Sequence, residues 1–173
     1  MKDYVSFETD RLWMTPTSRE DAAFIYELMN TPKWFQFIGD RKLHTIKDAE
    51  EYIDVKMRSQ LKKLGFSVYT LIRKLDLAKI GICCLIDRKE LEGIDLGYAL
   101  LPNYEGAGYA FEAAKKMIAA GFEEFGLTKL YAITKPENRT SQKLLQKLGF
   151  SCIGDIQLDD EKLSDRLFEL KRD

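Results

Sequence analysis

Histidine is almost missing: the 173-residue chain holds one, His44, in the loop-like stretch "GDRKLHT". A Ser–His or Cys–His nucleophilic pair therefore has almost no material to work with, and His44 reads as a surface or substrate-side residue. Cysteine is scarce too. The three cysteines are an odd number without metal-ligand spacing, and Cys83 and Cys84 fall inside the apolar run "KIGICCLI", as inert thiols of a buried strand. No sign of charge prevails, since the formal net charge is −1. That excludes a general pull toward nucleic acid or anionic membrane, and any anion site must be local. The longest uncharged apolar run, Ile80 to Ile86, is far too short to span a bilayer. The start, "MKDYVSFETDR", carries charges where a secretory signal needs an apolar core. The expectation is a soluble cytoplasmic protein with no nucleic-acid or membrane partner.

What is present is enough for one core. Hydrophobic residues make up 45% of the chain, nothing repeats, and no Pro/Gly/Ser-rich linker divides it, so residues 1–173 are expected to form a single domain. After a short strand, "RLWMTPT", Ser18 and Asp21 resemble a capping box ahead of the helical pattern "REDAAFIYELMN". An aromatic-rich loop, "TPKWFQFIGDRKLH", leads to a second helix in which Ile46, Ala49, Ile53, Met57 and Leu61 recur at helical spacing, ended by Gly65. From Phe66 the period changes to two. "FSVYTLIR", "KIGICCLI" and "GIDLGYAL" follow one another as an antiparallel meander. A third helix begins near Tyr109, "KLYAIT" is a strand, "RTSQKLLQKLGF" a fourth helix, and "SCIGDIQL" and "RLFELKR" the last strands. The fold class is α+β with a mixed, mostly antiparallel sheet and about four helices.

The stretch "LLPNYEGAGYAFEAAKK" raises the functional question. A strand that passes straight into a helix through two glycines aims unpaired backbone N–H groups and the positive end of the helix dipole at one spot, a geometry suited to phosphate. Gly106 and Gly108 can take φ > 0 and leave no Cβ in a ligand's way, and Ala110 keeps the first helical turn slim. An ordinary tight connection explains the same residues. A dinucleotide fingerprint would need three spaced glycines in a parallel unit, and an ATP loop would need Gly-Lys-Ser/Thr; neither is present.

"EGAGYA", preceded by "LLPNY", resembles the pyrophosphate loop of the GNAT superfamily of acetyl-CoA-dependent N-acetyltransferases, Gln/Arg-x-x-Gly-x-Gly/Ala, with Glu105 where Gln or Arg is usual. "NRTSQKLLQKLGF" resembles a second block of that family. "ETDRLWMTPTSREDA" and "IGDRKLHTIKDAEEYI" are similar to the branch that acetylates ribosomal-protein alanines, the RimJ/RimL type. The resemblance covers nearly the whole chain and implies a GNAT-like sheet splayed after its fourth strand, where the pantetheine arm of acetyl-CoA pairs like an added strand. It implies that the backbone of Gly106, Ala107, Gly108, Tyr109 and Ala110 holds the phosphates. Ala99 and Leu100, with Asn138 and Ser141, would then lie along the pantetheine.

Acetyl transfer from a thioester to an amine needs a neutral amine, a polarised carbonyl and a way to accept charge on the departing sulphur. Asp95 interrupts an apolar strand and, by the resemblance, stands where relatives carry an acidic residue that draws off the proton; its bland alternative is a carboxylate on the solvated strand face or paired with Lys or Arg. Asn138 is also a plain helix N-cap. By the resemblance, Ser141 would lie near the thioester sulphur as acid, a place more often held by tyrosine, which this helix lacks. Trp34 and Phe37 are expected either to line the acceptor pocket or to pack as core. The acceptor is an amine, of a peptide N-terminus or a small molecule. No metal is expected, exposed C-terminal edge strands are compatible with a homodimer, and the rival reading is a catalytically silent acyl-CoA sensor.

Overall fold

In the computed structural model, which describes residues 3–158 and 162–173, all eight strands join one sheet in the order β1-β2-β3-β4-β5-β6-β8-β7. A two-residue strand β1 (Phe7–Glu8) precedes β2 (Leu12–Pro16), and the predicted meander is β3 (Val68–Arg73), β4 (Lys79–Asp87) and β5 (Ile94–Leu100). β6 (Lys129–Thr134), β7 (Ser151–Ile156) and β8 (Asp165–Lys171) complete it. Among the described residues, only β5 and β6 run parallel. The fourth strand of the sequence reading is β5, because the short β1 lies ahead of it.

The helices differ from the sequence reading in two places. α1 (Ala22–Leu28) follows a turn of 3-10 helix, with the Ser18 N–H donating to Asp21 Oδ2 at 2.9 Å. The aromatic-rich segment expected as a loop contains α2 (Pro32–Phe37), started by Pro at its first position and by the Thr31 hydroxyl, which accepts the Trp34 N–H. The long second helix is α3 (Ile46–Tyr52), a π-helical stretch Ile53–Arg58, and α4 (Ser59–Leu64), closed by Gly65. Helical spacing alone cannot reveal the π insertion, since Ile53 and Met57 stay buried through it. α5 (Tyr109–Glu123) and α6 (Arg139–Lys147) complete the helices.

Two cores flank the sheet. α5 packs on one face, where Leu12, Tyr69, Leu71, Leu85, Met117, Leu130 and Phe168 are almost wholly buried; each large apolar side chain so buried stabilises the fold by roughly 1.5–3 kcal/mol. The other face carries Ile25, Leu28, Trp34, Ala49, Ile53 and Met57 against Val68 and Ile82. One irregularity sets which strand residues reach which core. Leu71 pairs with Gly81 but Ile72 with Lys79, so one residue of β4, Ile80, has no partner on β3. The bulge turns the alternation over: Ile80 and Ile82, two apart, enter opposite cores. β5 is regular, pairing with β4 from Ile94↔Asp87 to Leu100↔Gly81.

Candidate active site

β5 is held on both sides for only part of its length. It meets β6 at Ile94↔Leu130 and Asp95↔Tyr131, and beyond that point its residues pair with β4 alone while Ala132, Ile133 and Thr134 of β6 pair with β8 alone. The sheet therefore opens between the second half of β5 and the end of β6. Three groups converge on the opening: the glycine turn that continues β5, the helix α6 that continues β6, and the β5 side chains themselves.

At the glycine turn both Gly106 (φ 78°) and Gly108 (φ 84°) adopt the left-handed conformation that L residues avoid. A Cβ built on Gly106 would meet nothing within 4 Å, so the turn faces open space. No described residue accepts a bond from the backbone N–H of Gly106, Ala107 or Gly108. Three free donors at the start of a 15-residue helix make a fitting cradle for a pyrophosphate. The turn is braced by Arg11, a residue the sequence reading did not single out. Its Nη1 donates to the Ala107 carbonyl at 2.9 Å, its Nε to Glu112 Oε2 at 2.7 Å, and its guanidinium lies 4.2 Å from the Tyr109 ring centre. Partial burial alone would raise the Glu112 carboxyl, but bonds from Thr9 and from Arg11 hold it below its ordinary value. Glu105, the departure from the family pattern, is tied to Lys33 of α2. Its negative charge is thus partnered rather than left beside the cradle.

Along β5, Asp95, Gly97 and Ala99 share one face and Ile94, Leu96, Tyr98 and Leu100 the other. Ala99 packs on the α1–α4 core and Leu100 on the α5 core. The Cβ of any larger residue at 97 would come within 2.8 Å of Cys84 Sγ, so glycine is required for close approach. Asp95 is buried, 4% exposed, and its Oδ2 accepts a bond from Arg88 Nε at 2.5 Å. Burial pushes its carboxyl up to about 6 against the pull of Arg88. The nearby Cys84 thiol is pushed up to about 12, by burial first and by the Asp95 charge second. Asp95 is thus a buried carboxylate paired with an arginine, with its proton affinity raised.

On the opposite face Tyr98 reaches α6. Its phenol oxygen lies 2.9 Å from Ser141 Oγ and donates to the Ser141 carbonyl at 3.2 Å. Burial raises the phenol above its ordinary value although the bond to Ser141 opposes this. Asn138 is the N-cap of α6, its Oδ1 accepting the Ser141 N–H at 3.2 Å. Trp34 is buried in the α1–α4 core with its Nε1 lacking a partner, while Phe37 is half-buried. The structure thus brings Ser141, Asn138 and the β5 side chains to the opening and sets Asp95 on the other side of the sheet from Ser141. Tyr98 escaped the sequence reading because its period-2 position places it among core residues.

The parallel junction that opens beside the glycine turn is the splayed sheet that the resemblance to the GNAT family implies. The chain belongs to the GNAT acetyltransferases: the family model described as "Acetyltransferase (GNAT) domain" matches residues 11–151. It is 29% identical over 168 residues to an N-acetyltransferase of Bacillus licheniformis called p20, covering 94% of this chain and 90% of that one. It is 24% identical over 144 residues to the spermidine N(1)-acetyltransferase of Escherichia coli, covering 83% and 74%. Among solved structures, the ribosomal-protein-S5-alanine acetyltransferase of Vibrio fischeri superposes with a TM-score of 0.81 at 22% identity over 98% of this chain and 97% of that one. The protein is an acetyltransferase, and the expected α+β fold with a mixed, mostly antiparallel sheet is the one it has.

Proposed function

We propose that the protein moves the acetyl group of acetyl-CoA directly to a primary amine in a ternary complex, in the cytoplasm, as enzymes of the RimJ/RimL branch do. The observation that carries this reading is the position of Asp95 on the last β5–β6 pair, buried and raised to about 6. There it is ionised at neutral pH and still basic enough to take a proton from an attacked amine. The Gly106–Ala110 backbone would hold the phosphates of acetyl-CoA, and the opening beside Ala99, Leu100, Asn138 and Ser141 would take its pantetheine arm. The amine, entering on the Asp95 side of the sheet, attacks the thioester carbonyl. A new C–N bond forms, the C–S bond breaks with its electron pair on sulphur, and the nitrogen's proton leaves through Asp95.

Residues 31–44 argue for a monoamine over a polycation. They hold one carboxylate, Asp40, against Lys33, Arg41 and Lys42, and Asp40 Oδ1 already accepts the Lys42 N–H at 2.7 Å. An α-amine, with a reference pKa of about 7.7–8.0, needs less help from a base of this strength than a lysine amine at about 10.4. The deciding experiment follows thiol release from acetyl-CoA with free and N-terminally blocked peptides, single amino acids, simple monoamines and spermidine. Turnover with α-amines exceeding that with spermidine supports the reading. Spermidine as the preferred acceptor would overturn the acceptor class, and tight acetyl-CoA binding without release of CoA to any amine would leave the silent sensor.

A further inference from the structure

The tyrosine that helix α6 lacks arrives from the sheet. We infer that Tyr98, reaching from β5 to α6, positions the Ser141 hydroxyl as the hydrogen-bond donor to the departing CoA sulphur. The inference rests on the acetyl-transfer reading above and extends it to a strand residue that lies outside both the glycine turn and the Asn138–Phe150 block.

The geometry limits what the pair can do. Between Tyr98 and Ser141 either oxygen can donate across the 2.9 Å contact, and the Ser141 carbonyl offers Tyr98 a second acceptor at 3.2 Å. A sulphur carrying negative charge removes that freedom. The Ser141 hydrogen turns to the sulphur, and the phenol hydrogen then has to serve Ser141 Oγ. A hydroxyl that accepts one bond donates a stronger one, so the two bonds reinforce each other. No other ionised group interferes from the strand beside it: the cross-strand partner of Tyr98 is Cys83, which is buried and pushed well above its ordinary value, hence neutral. Asn138 fixes the first turn of α6 by capping the Ser141 N–H, which holds the serine backbone against the phenol.

The step balances without a proton leaving either hydroxyl. The thiolate of CoA, with a reference thiol pKa of about 8.5, is a far weaker base than a serine or tyrosine oxyanion, so it departs as an anion held by the Ser141 O–H. It is neutralised by the proton the amine nitrogen has released, carried through water. One N–H becomes one S–H, and the Tyr98–Ser141 pair ends as it began.

The test measures acetyl-CoA affinity by calorimetry and kcat by thiol release, with the amine that turns over best, for wild type, Tyr98→Phe, Ser141→Ala and the double variant. A hydrogen bond to an ionised group is worth about 1.5–3 kcal/mol, which predicts a kcat loss of about 10- to 100-fold for Ser141→Ala, and a smaller loss of about 3- to 10-fold for Tyr98→Phe, which removes only the reinforcing and orienting bond. Because the phenol acts through Ser141, the double variant should be no slower than the slower single variant within about threefold. Affinity for acetyl-CoA should stay within about threefold throughout, since the bond forms to sulphur that carries charge only during the reaction. A Tyr98→Phe enzyme with wild-type kcat would overturn the inference. So would losses that multiply in the double variant, or a loss of affinity as large as the loss of kcat, which marks a packing role. Ser141→Ala reads the same link from α6 if Tyr98→Phe does not fold. Wild-type protein that binds acetyl-CoA and transfers to no amine is a different result: it removes the enzymatic reading, and this inference with it.

Discussion

The two halves of β5 are built from one strand and live under different rules. Through Asp95 the strand is paired on both sides, its one polar side chain buried and matched by Arg88. After Asp95 it is paired on one side only, and its side chains reach outward to other elements, Tyr98 to α6 and the chain itself to the glycine turn. The first half shows how a charge is kept inside a sheet. The second leaves strand backbone unpaired on one side in the middle of a sheet. The difference between them is two residues of parallel pairing, which a sequence does not display.

Changes at the turn that ends the open half should have the largest effect. Gly108→Trp puts a bulky side chain on a residue at φ 84°, beside Arg11 Nη2, and should abolish acetyl-CoA binding by calorimetry, at least about 100-fold, while circular dichroism stays native. Retained binding would assign the turn a purely structural role. Next comes the charge in the closed half. Asp95→Asn should lower kcat/KM by about 10²- to 10⁴-fold. In the wild type kcat/KM should rise as pH increases through about 6, because the raised carboxyl must lose its proton to act as base. Arg88→Met should move that rise to higher pH, since the guanidinium is what pulls the Asp95 value down. An unmoved limb would separate Asp95 from the reaction.

Smaller in effect is a test of packing at the boundary. Gly97→Ala places a Cβ 2.8 Å from Cys84 Sγ and should cost about 1–3 kcal/mol in chemical denaturation. Cys84→Ala, which removes that sulphur, should recover part of the loss, and additive costs would show that the contact is not the cause. The smallest change lies at the far edge. Ile153→Lys on β7, where the side chain is 50% exposed, should leave stability within about 0.5 kcal/mol. A larger loss, accompanied by a change in sedimentation, would mean that a second copy of the chain covers the strand, the homodimer the exposed edge permits.

Much of this was legible from the residues and some could not be. Period-2 and period-3.6 patterns located the meander, α1, α5 and α6. α2 was hidden because Pro32 reads equally as a loop residue and a helix start, and six residues are too few for a period to declare itself. The glycine turn was legible because positive φ leaves a chemical trace in residue type. The partners that define the rest of the site were not, because they come from distant parts of the chain: Arg11 from the β1–β2 turn to Ala107, Lys33 from α2 to Glu105, and Tyr98 from β5 to Ser141. An expected Lys or Arg beside Asp95 proved to be Arg88, which sequence could suggest as a type but not as a position.

The opening between β5 and β6 also bears on how the chain behaves in a crowded solution. Unpaired strand backbone is a template for aggregation, and proteins usually suppress it at the rim of a sheet. Here the half-paired backbone lies in the middle of the sheet, with β1 to β4 on one side and β8 and β7 on the other. The Tyr98–Ser141 contact spans from one wall to the helix that follows the other. Strands flank that backbone on both sides, so the edge of another protein's sheet cannot lie along it as it would at a rim. Hydrogen-bonding capacity that would be a hazard at the periphery is thereby sheltered from other sheets.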